Sequence, residues 1–264
     1  MHVFEFTHAI VREPGESVVN GLRADASATP TYSGVLAEHR AYVDALAEAG
    51  LAVDILPALE GFPDSVFVED PALTFPEGAI LLRPGAPSRL GEREEMRAAL
   101  ARHFAEVREL QVGEYADGGD VLVTPEAVFI GLSARTNRLG AEALARHLEA
   151  FGRKARISET PKGILHFKTA AALLSEDTIV ATQTMAESGV FDGCRVLVTP
   201  EGEEAAANLL RVNRIVLVSD GYLRTAEMIA RQGLPVRLLP TQEVAKLDAG
   251  LSCMSLRWAK KLEP

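Results

Sequence analysis

Apolar residues in this chain fall in short runs that repeat one plan: a strand-like run, a turn, a second apolar run, a helical stretch, then a third apolar run. The strand–turn–strand part is legible four times, over 72–82, 120–130, 170–180 and 208–218. Its reversals carry Pro76, Gly78, Pro125, Asp177 and Asn213, which supply the backbone angles of a tight turn, between residues that favour strands. Helical spacing follows over 31–49, 91–104, 137–151 and 222–232. In the first of these Leu36, His39, Val43, Leu46 and Ala47 share a face and Gly50 marks the stop. Three of the four lead into a further strand, at 53–56, 154–158 and 235–239.

A polar residue at the mouth of each unit gives Asp70, Asp120, Lys168, Asn208 and Cys253, at intervals of 50, 48, 40 and 45 residues. That spacing is regular enough for a repeat and too variable for a stacked solenoid. No unit could bury its sheet alone, and closure into a ring protects the strand edges. The pattern therefore predicts a closed α/β ring of about five units, with residues 1–264 as a single domain. Polar residues at one end of the inner strands would converge on a central cavity.

The chain has 264 residues, 47% hydrophobic and 24% charged, the balance of a globular protein with a sizeable core. Its 27 basic and 37 acidic residues give a net charge of −10, which argues against a nucleic-acid surface. The negative charge suits a cationic small molecule, and it also serves plain solubility. Met1-His2-Val3-Phe4 opens no secretory signal, and no apolar run approaches the roughly 18–20 residues of a membrane helix. A cytoplasmic location without membrane association is expected, with both cysteines, Cys194 and Cys253, reduced.

Four segments carry candidate chemistry. Cys253 follows the glycine-containing loop 248–252 and is placed at the start of a final strand, although a lone cysteine is more often a small buried hydrophobe. His166 lies among apolar neighbours on a predicted strand, and the histidines show no metal-ligand spacing. Asp117-Gly118-Gly119-Asp120 allows a sharp turn and close backbone approach, and it is also an ordinary hairpin turn. In 62–71, strand alternation sets Asp64 and Asp70 on one face with Val66 and Val68, and Glu69 on the other. Two buried carboxylates are costly unless a guanidinium lies between them.

In order along nearly the whole chain, 62–70, 83–89, 117–120, 131–137, 165–168, 206–208 and 252–253 resemble the dimethylarginine dimethylaminohydrolase family of the pentein, or guanidino-group-modifying, superfamily. The resemblance implies a five-bladed pseudo-symmetric α/β propeller. It implies Cys253 as nucleophile, His166 as general acid and base, and Asp117 as the residue orienting His166. By the same resemblance Asp64, Glu69 and Asp70 hold a guanidinium, Arg89 and Arg135 the α-carboxylate, and backbone groups at Leu22 and Leu247 the α-amino end. The implied reaction hydrolyses methylated arginine to citrulline and an amine without cofactor or metal, in a monomer or homodimer. Arginine deiminase or another guanidino hydrolase of the superfamily is the alternative, with a non-catalytic arginine-derivative binding protein behind it.

Overall fold

Turns rich in Gly, Asn and Asp reverse the chain between apolar strands short enough to pair only in threes. The computed structural model describes residues 3–260, so Met1 and His2 of the stretch inspected for a targeting signal lie outside the described residues. The chain opens with β1 (His8–Arg12), α1 (Tyr32–Glu48) and β2 (Ala52–Leu56). Next come β3 (Ala72–Phe75), β4 (Gly78–Leu81), α2 (Glu92–Ala101) and β5 (Val107–Glu109). A third unit holds β6 (Val121–Val123), β7 (Val128–Leu132), α3 (Arg138–Ala150) and β8 (Ala155–Glu159). The fourth holds β9 (Ala171–Leu173), β10 (Thr178–Ala181), α4 (Gln183–Glu187) and β11 (Arg195–Val198). Last are β12 (Leu210–Val212), β13 (Ile215–Ser219), α5 (Leu223–Ala230), β14 (Val236–Leu239), α6 (Gln242–Ala245) and β15 (Leu256–Trp258).

Among the described residues these strands form five three-stranded sheets. In four of them the middle strand pairs antiparallel with the strand before it and parallel with the strand after the helix. The fifth sheet joins the two ends of the chain: β15 pairs antiparallel with β1, Leu256 opposite Ile10, and β1 runs parallel to β2. The ring is thereby closed, as a five-bladed pseudo-symmetric α/β propeller. β3, β6, β9, β12 and β15 line a central channel with Leu73, Phe75, Val123, Leu173, Leu210 and Trp258.

Local chemistry sets the helix boundaries. Thr31 caps α1, its hydroxyl accepting from Gly34 N–H at 3.2 Å, and Gly50 at φ +96° ends it. Asn137 caps α3 the same way, from Gly140 N–H at 2.7 Å. The buried stripe of α1 is Val35, His39, Tyr42, Ala45 and Leu46; Leu36 and Val43 sit at its margin and Ala47 is exposed, a rotation of about one position from the predicted face. Three strands and two helices were not predicted: β1, β5, β11, α4 and α6 span three to five residues each, too short for a periodicity to register. No helix among the described residues is long and apolar enough to cross a membrane.

Candidate active site

Each inner strand is preceded by a tight turn, and hydrogen bonds lock these turns to one another around one mouth of the channel. Glu69 N–H donates to Cys253 O at 3.3 Å and Gly118 N–H to Asp70 O at 3.2 Å. Phe167 N–H donates to Asp120 Oδ1 at 2.9 Å, and Ser252 N–H to Asn208 Oδ1 at 3.2 Å. The 3-10 turns Phe167–Thr169 and Glu204–Ala207 touch and complete the circle. Asp70, Asp120, Lys168, Asn208 and Cys253 therefore do share one end of the molecule.

Three placements differ from the sequence expectation. Residues 62–70 are successive turns, not a strand: Ser65 N–H donates to Phe62 O, Phe67 N–H to Asp64 O and Asp70 N–H to Phe67 O. His166 is the extended residue before the turn Phe167–Thr169 rather than part of a strand. Cys253 lies inside the 3-10 turn Leu251–Met254, and β15 begins only at Leu256. In each case the side chain leaves a turn, where it points along the channel mouth instead of across a sheet.

Asp117 is fully buried, and its carboxylate is saturated from three directions. Oδ1 accepts from Gly85 N–H at 2.7 Å; Oδ2 accepts from His166 Nε2–H at 3.1 Å and lies 3.6 Å from Arg135 Nη1. A carboxylate can only accept, so the proton of this bond sits on the imidazole. Asp120, three residues on, holds the neighbouring segments in place. It accepts from Ser133 Oγ and Thr136 Oγ1, each at 2.6 Å, and from Phe167 N–H, fixing the loop that carries Arg135 and the turn that carries His166. Between them Gly119 gives its N–H to Asp70 Oδ1 at 3.0 Å, and a Cβ there would come within 2.9 Å of the His166 ring. Burial opposes the His166 cation, but the Asp117 hydrogen bond and the charges of Asp70, Asp120 and Asp117 overcome it and push its pKa from 6.5 up to about 9.

Of the buried carboxylates of 64–70, Asp70 has a guanidinium beside it, and that guanidinium belongs to Arg89. This arginine is buried, ion-paired to Asp70, forked onto Glu92 at 2.9 and 2.7 Å, and donates to the carbonyls of Asp64 and Phe67 at 3.1 and 3.0 Å. Arg89 is expected beside Arg135 in a carboxylate clamp; here its Nε, Nη1 and Nη2 each have a protein acceptor. Burial alone would raise the Asp70 carboxyl, yet Arg89, His166 and the Gly119 N–H together hold it below the usual range. Glu69 faces elsewhere, onto Lys168, Arg257 Nη2 at 3.3 Å and Ser252 Oγ at 3.4 Å, at the inner end of the channel. Asp64 Oδ1 accepts from Leu22 N–H at 2.9 Å, while Ala24 N–H donates to Asp248 Oδ2 at 2.6 Å. Leu22, Asp64 and Leu247 are thus brought to one side of the mouth.

Cys253 is half-buried and carries no disulfide. Burial, Glu69 and Asp70 push its thiol pKa up, so sulfur and imidazole both hold protons at neutral pH. Cys194, also a free thiol, packs against a separate apolar cluster with Phe191. Asp70, Asp117 and His166 offer atoms within 4.8 Å of one another, close enough to share an ion. Asp117 already accepts from His166 and Gly85 N–H, and Asp70 from Arg89 and Gly119 N–H, so the oxygens of both carboxylates have donors. Asn208, Arg257 and Glu92 are contributors that residue type alone did not mark. Only the position of Asn208 at a unit mouth pointed to it.

A carboxylate–imidazole pair and a thiol, held by separate turns at one mouth of a closed five-unit ring, is the arrangement expected of the pentein, guanidino-group-modifying proteins. Residues 17–189 match the model of the family described as N,N dimethylarginine dimethylhydrolase, eukaryotic. The N(G),N(G)-dimethylarginine dimethylaminohydrolase of Pseudomonas aeruginosa is 38% identical over 254 residues, covering 96% of this chain and 100% of its own. This chain belongs to the dimethylarginine dimethylaminohydrolase family. A structure of a mutant of the P. aeruginosa enzyme complexed with citrulline matches with a TM-score of 0.93 at 38% identity, over 96% of this chain and 100% of that one. A dimethylarginine dimethylaminohydrolase adduct with S-methyl-L-thiocitrulline gives 0.92 at the same identity, over 96% and 99%.

Proposed function

We propose that this chain hydrolyses Nω-methylated arginine to citrulline, releasing dimethylamine or methylamine, with Cys253 as the nucleophile. The observation that carries this reading is the buried His166–Asp117 pair, 3.1 Å apart with the imidazole protonated at neutral pH, at the same mouth as the thiol. A guanidinium carbon is a weak electrophile, so it must be held in place and its leaving nitrogen protonated. The substrate's positive charge beside Glu69 and Asp70 offsets the two carboxylates that keep the sulfur protonated, which favours the thiolate at the moment of binding.

As substrate binds, the Cys253 thiol loses its proton to solvent; the thiolate attacks the guanidinium carbon, the bond to the methylated nitrogen breaks, and His166 gives that nitrogen its proton. The product of this half is an S-alkylthiouronium on Cys253. Neutral His166 then takes a proton from water, whose oxygen attacks the same carbon. The C–S bond breaks and leaves citrulline and the sulfur. Asp117 keeps the ring oriented and its proton available. In this reading Arg135, whose guanidinium is 19% exposed and makes one long contact, takes the α-carboxylate. Carbonyls at Leu22 and Leu247 take the α-amino group, and Asp64 the guanidinium edge.

Citrulline release from asymmetric dimethylarginine, monomethylarginine and free arginine tests the reading, run on wild type, Cys253→Ser and Cys194→Ser. Methylated substrates turn over in wild type and Cys194→Ser, and not in Cys253→Ser. Turnover of free arginine alone would replace this activity with a deiminase.

A further inference from the structure

Asn208 stands at the mouth of the unit that opens with β12, and the reaction above gives it no part. Its side chain is buried against the turn that bears the nucleophile and meets it twice. Oδ1 accepts from Ser252 N–H at 3.2 Å, and Nδ2 lies 3.6 Å from Cys253 Sγ. A backbone N–H can only donate, so the first contact selects the amide oxygen and leaves the nitrogen facing sulfur. The chain makes room for this approach at Gly250, where a Cβ would come within 2.5 Å of Asn208 Cγ and Nδ2. Gly250 has an extended backbone, φ −147°, so space rather than dihedral angle accounts for glycine there.

We propose that Asn208 is a positioning residue for the nucleophile: its carbonyl holds the Ser252–Cys253 turn, and its N–H donates to the sulfur and favours thiolate over thiol. The proposal rests on the reading of Cys253 as nucleophile. A thiolate accepts a hydrogen bond more strongly than a thiol, so the contact strengthens as sulfur ionises. The charges facing that sulfur come from three other segments. Glu69 and Asp70 on the 62–70 turns oppose ionisation, Lys168 on the turn before β9 favours it, and Arg257 on β15 acts through Glu69. Asn208 and the backbone N–H of Gly250 are the uncharged donors to the sulfur, and both work at any pH.

The test is the pH dependence of Cys253 alkylation by iodoacetamide, with mass spectrometry to locate the label and the ultraviolet absorbance of the thiolate as a second readout. Wild type, Asn208→Asp and Asn208→Ser are compared on a Cys194→Ser background. Asn208→Asp keeps an acceptor for Ser252 N–H but sets a carboxylate against sulfur; Asn208→Ser removes the donor without adding charge. The alkylation midpoint is expected to rise by about one pH unit or more in Asn208→Asp, and by less in Asn208→Ser. Turnover at neutral pH should fall with it. Unchanged midpoints in the variants overturn the proposal, whatever happens to turnover, because a purely structural role leaves the sulfur's titration alone. Should Asn208→Asp fail to fold, Asn208→Ser decides by the same criterion. Failure of Cys253 to label in wild type at any pH overturns the nucleophile reading and this proposal together, a different signature from labelling with an unmoved midpoint.

Discussion

At His166 two effects of opposite sign meet, and their balance sets how the site works. Burial disfavours the imidazolium, while the hydrogen bond to Asp117 and three nearby carboxylates favour it by more. A general acid of this kind is active while protonated, so turnover is lost as pH rises through about 9. Asp117→Asn removes one of those charges and weakens the hydrogen bond, and the alkaline limb of kcat/KM should move to lower pH by about one unit or more. A limb that stays in place would take the proton donor away from His166. The two arginines separate in the same way. Arg135→Ala loses a charged partner for the substrate and should lower kcat/KM by about 2–5 kcal/mol, roughly 30-fold to several thousand-fold, mostly through KM. Arg89→Ala strands Asp70 and Glu92 in the interior, so its first effect should be on the urea midpoint. If Arg89→Ala changes KM with no loss of stability, Arg89 binds substrate after all.

Among the elements, the tight turns matter more than the strands they introduce. Asp120 shows how: three donors from two segments converge on one buried carboxylate, so the loop bearing Arg135 and the turn bearing His166 are held by the same side chain. Asp120→Ala leaves those donors buried without an acceptor and should cost roughly 3 kcal/mol or more by urea denaturation. Turnover should fall in the fraction that remains folded, through misplacement of His166. Loss of stability without loss of activity per folded molecule would limit Asp120 to the fold. The hairpins were legible because their turn residues and β-branched flanks are local signals, as Asn213 at φ +52° between β12 and β13 illustrates. The segment 62–70 was misread because alternating acid and apolar residues look like a half-buried strand. Its actual three-residue hydrogen bonds depend on Arg89 accepting the role of counter-ion, which no local pattern reveals. The resemblance named Cys253, His166 and Asp117, and the turns bring His166 and Asp117 into contact. The partners of Arg89 and the approach of Asn208 to sulfur arise from long-range packing across units and could not be read from spacing.

For the molecule as a whole, the ring joins its ends through β15 and β1 and buries titratable groups of opposite tendency in different units. His39 on α1 is buried, with Nε2 lacking a partner, and burial first and the charge of Arg40 second lower its pKa from 6.5 to about 4. His166 is raised from 6.5 to about 9 by the carboxylates around it. Between pH 4 and 6.5 the unfolded chain therefore binds a proton at position 39 that the folded chain does not, and stability falls as the solution is acidified. Between pH 6.5 and 9 the folded chain holds a proton at position 166 that the unfolded chain releases, and stability falls as the solution is made alkaline. Asp70, held below the usual carboxylate range, loses its contribution only as pH falls through its lowered folded-state value. Cys253, raised above 9, adds its loss only beyond the alkaline end of the window. These two histidines place a maximum of the urea midpoint near pH 6.5, each contributing on the order of 3 kcal/mol to its limb, while the raised carboxyls of Glu38, Glu92 and Asp120 oppose His39 on the acid side. His166→Gln should flatten the alkaline limb and leave the acid limb, and His39→Leu the reverse. If the alkaline limb survives His166→Gln, the proton held at the site belongs to another group, and the assignment of His166 as the cationic acid fails with it.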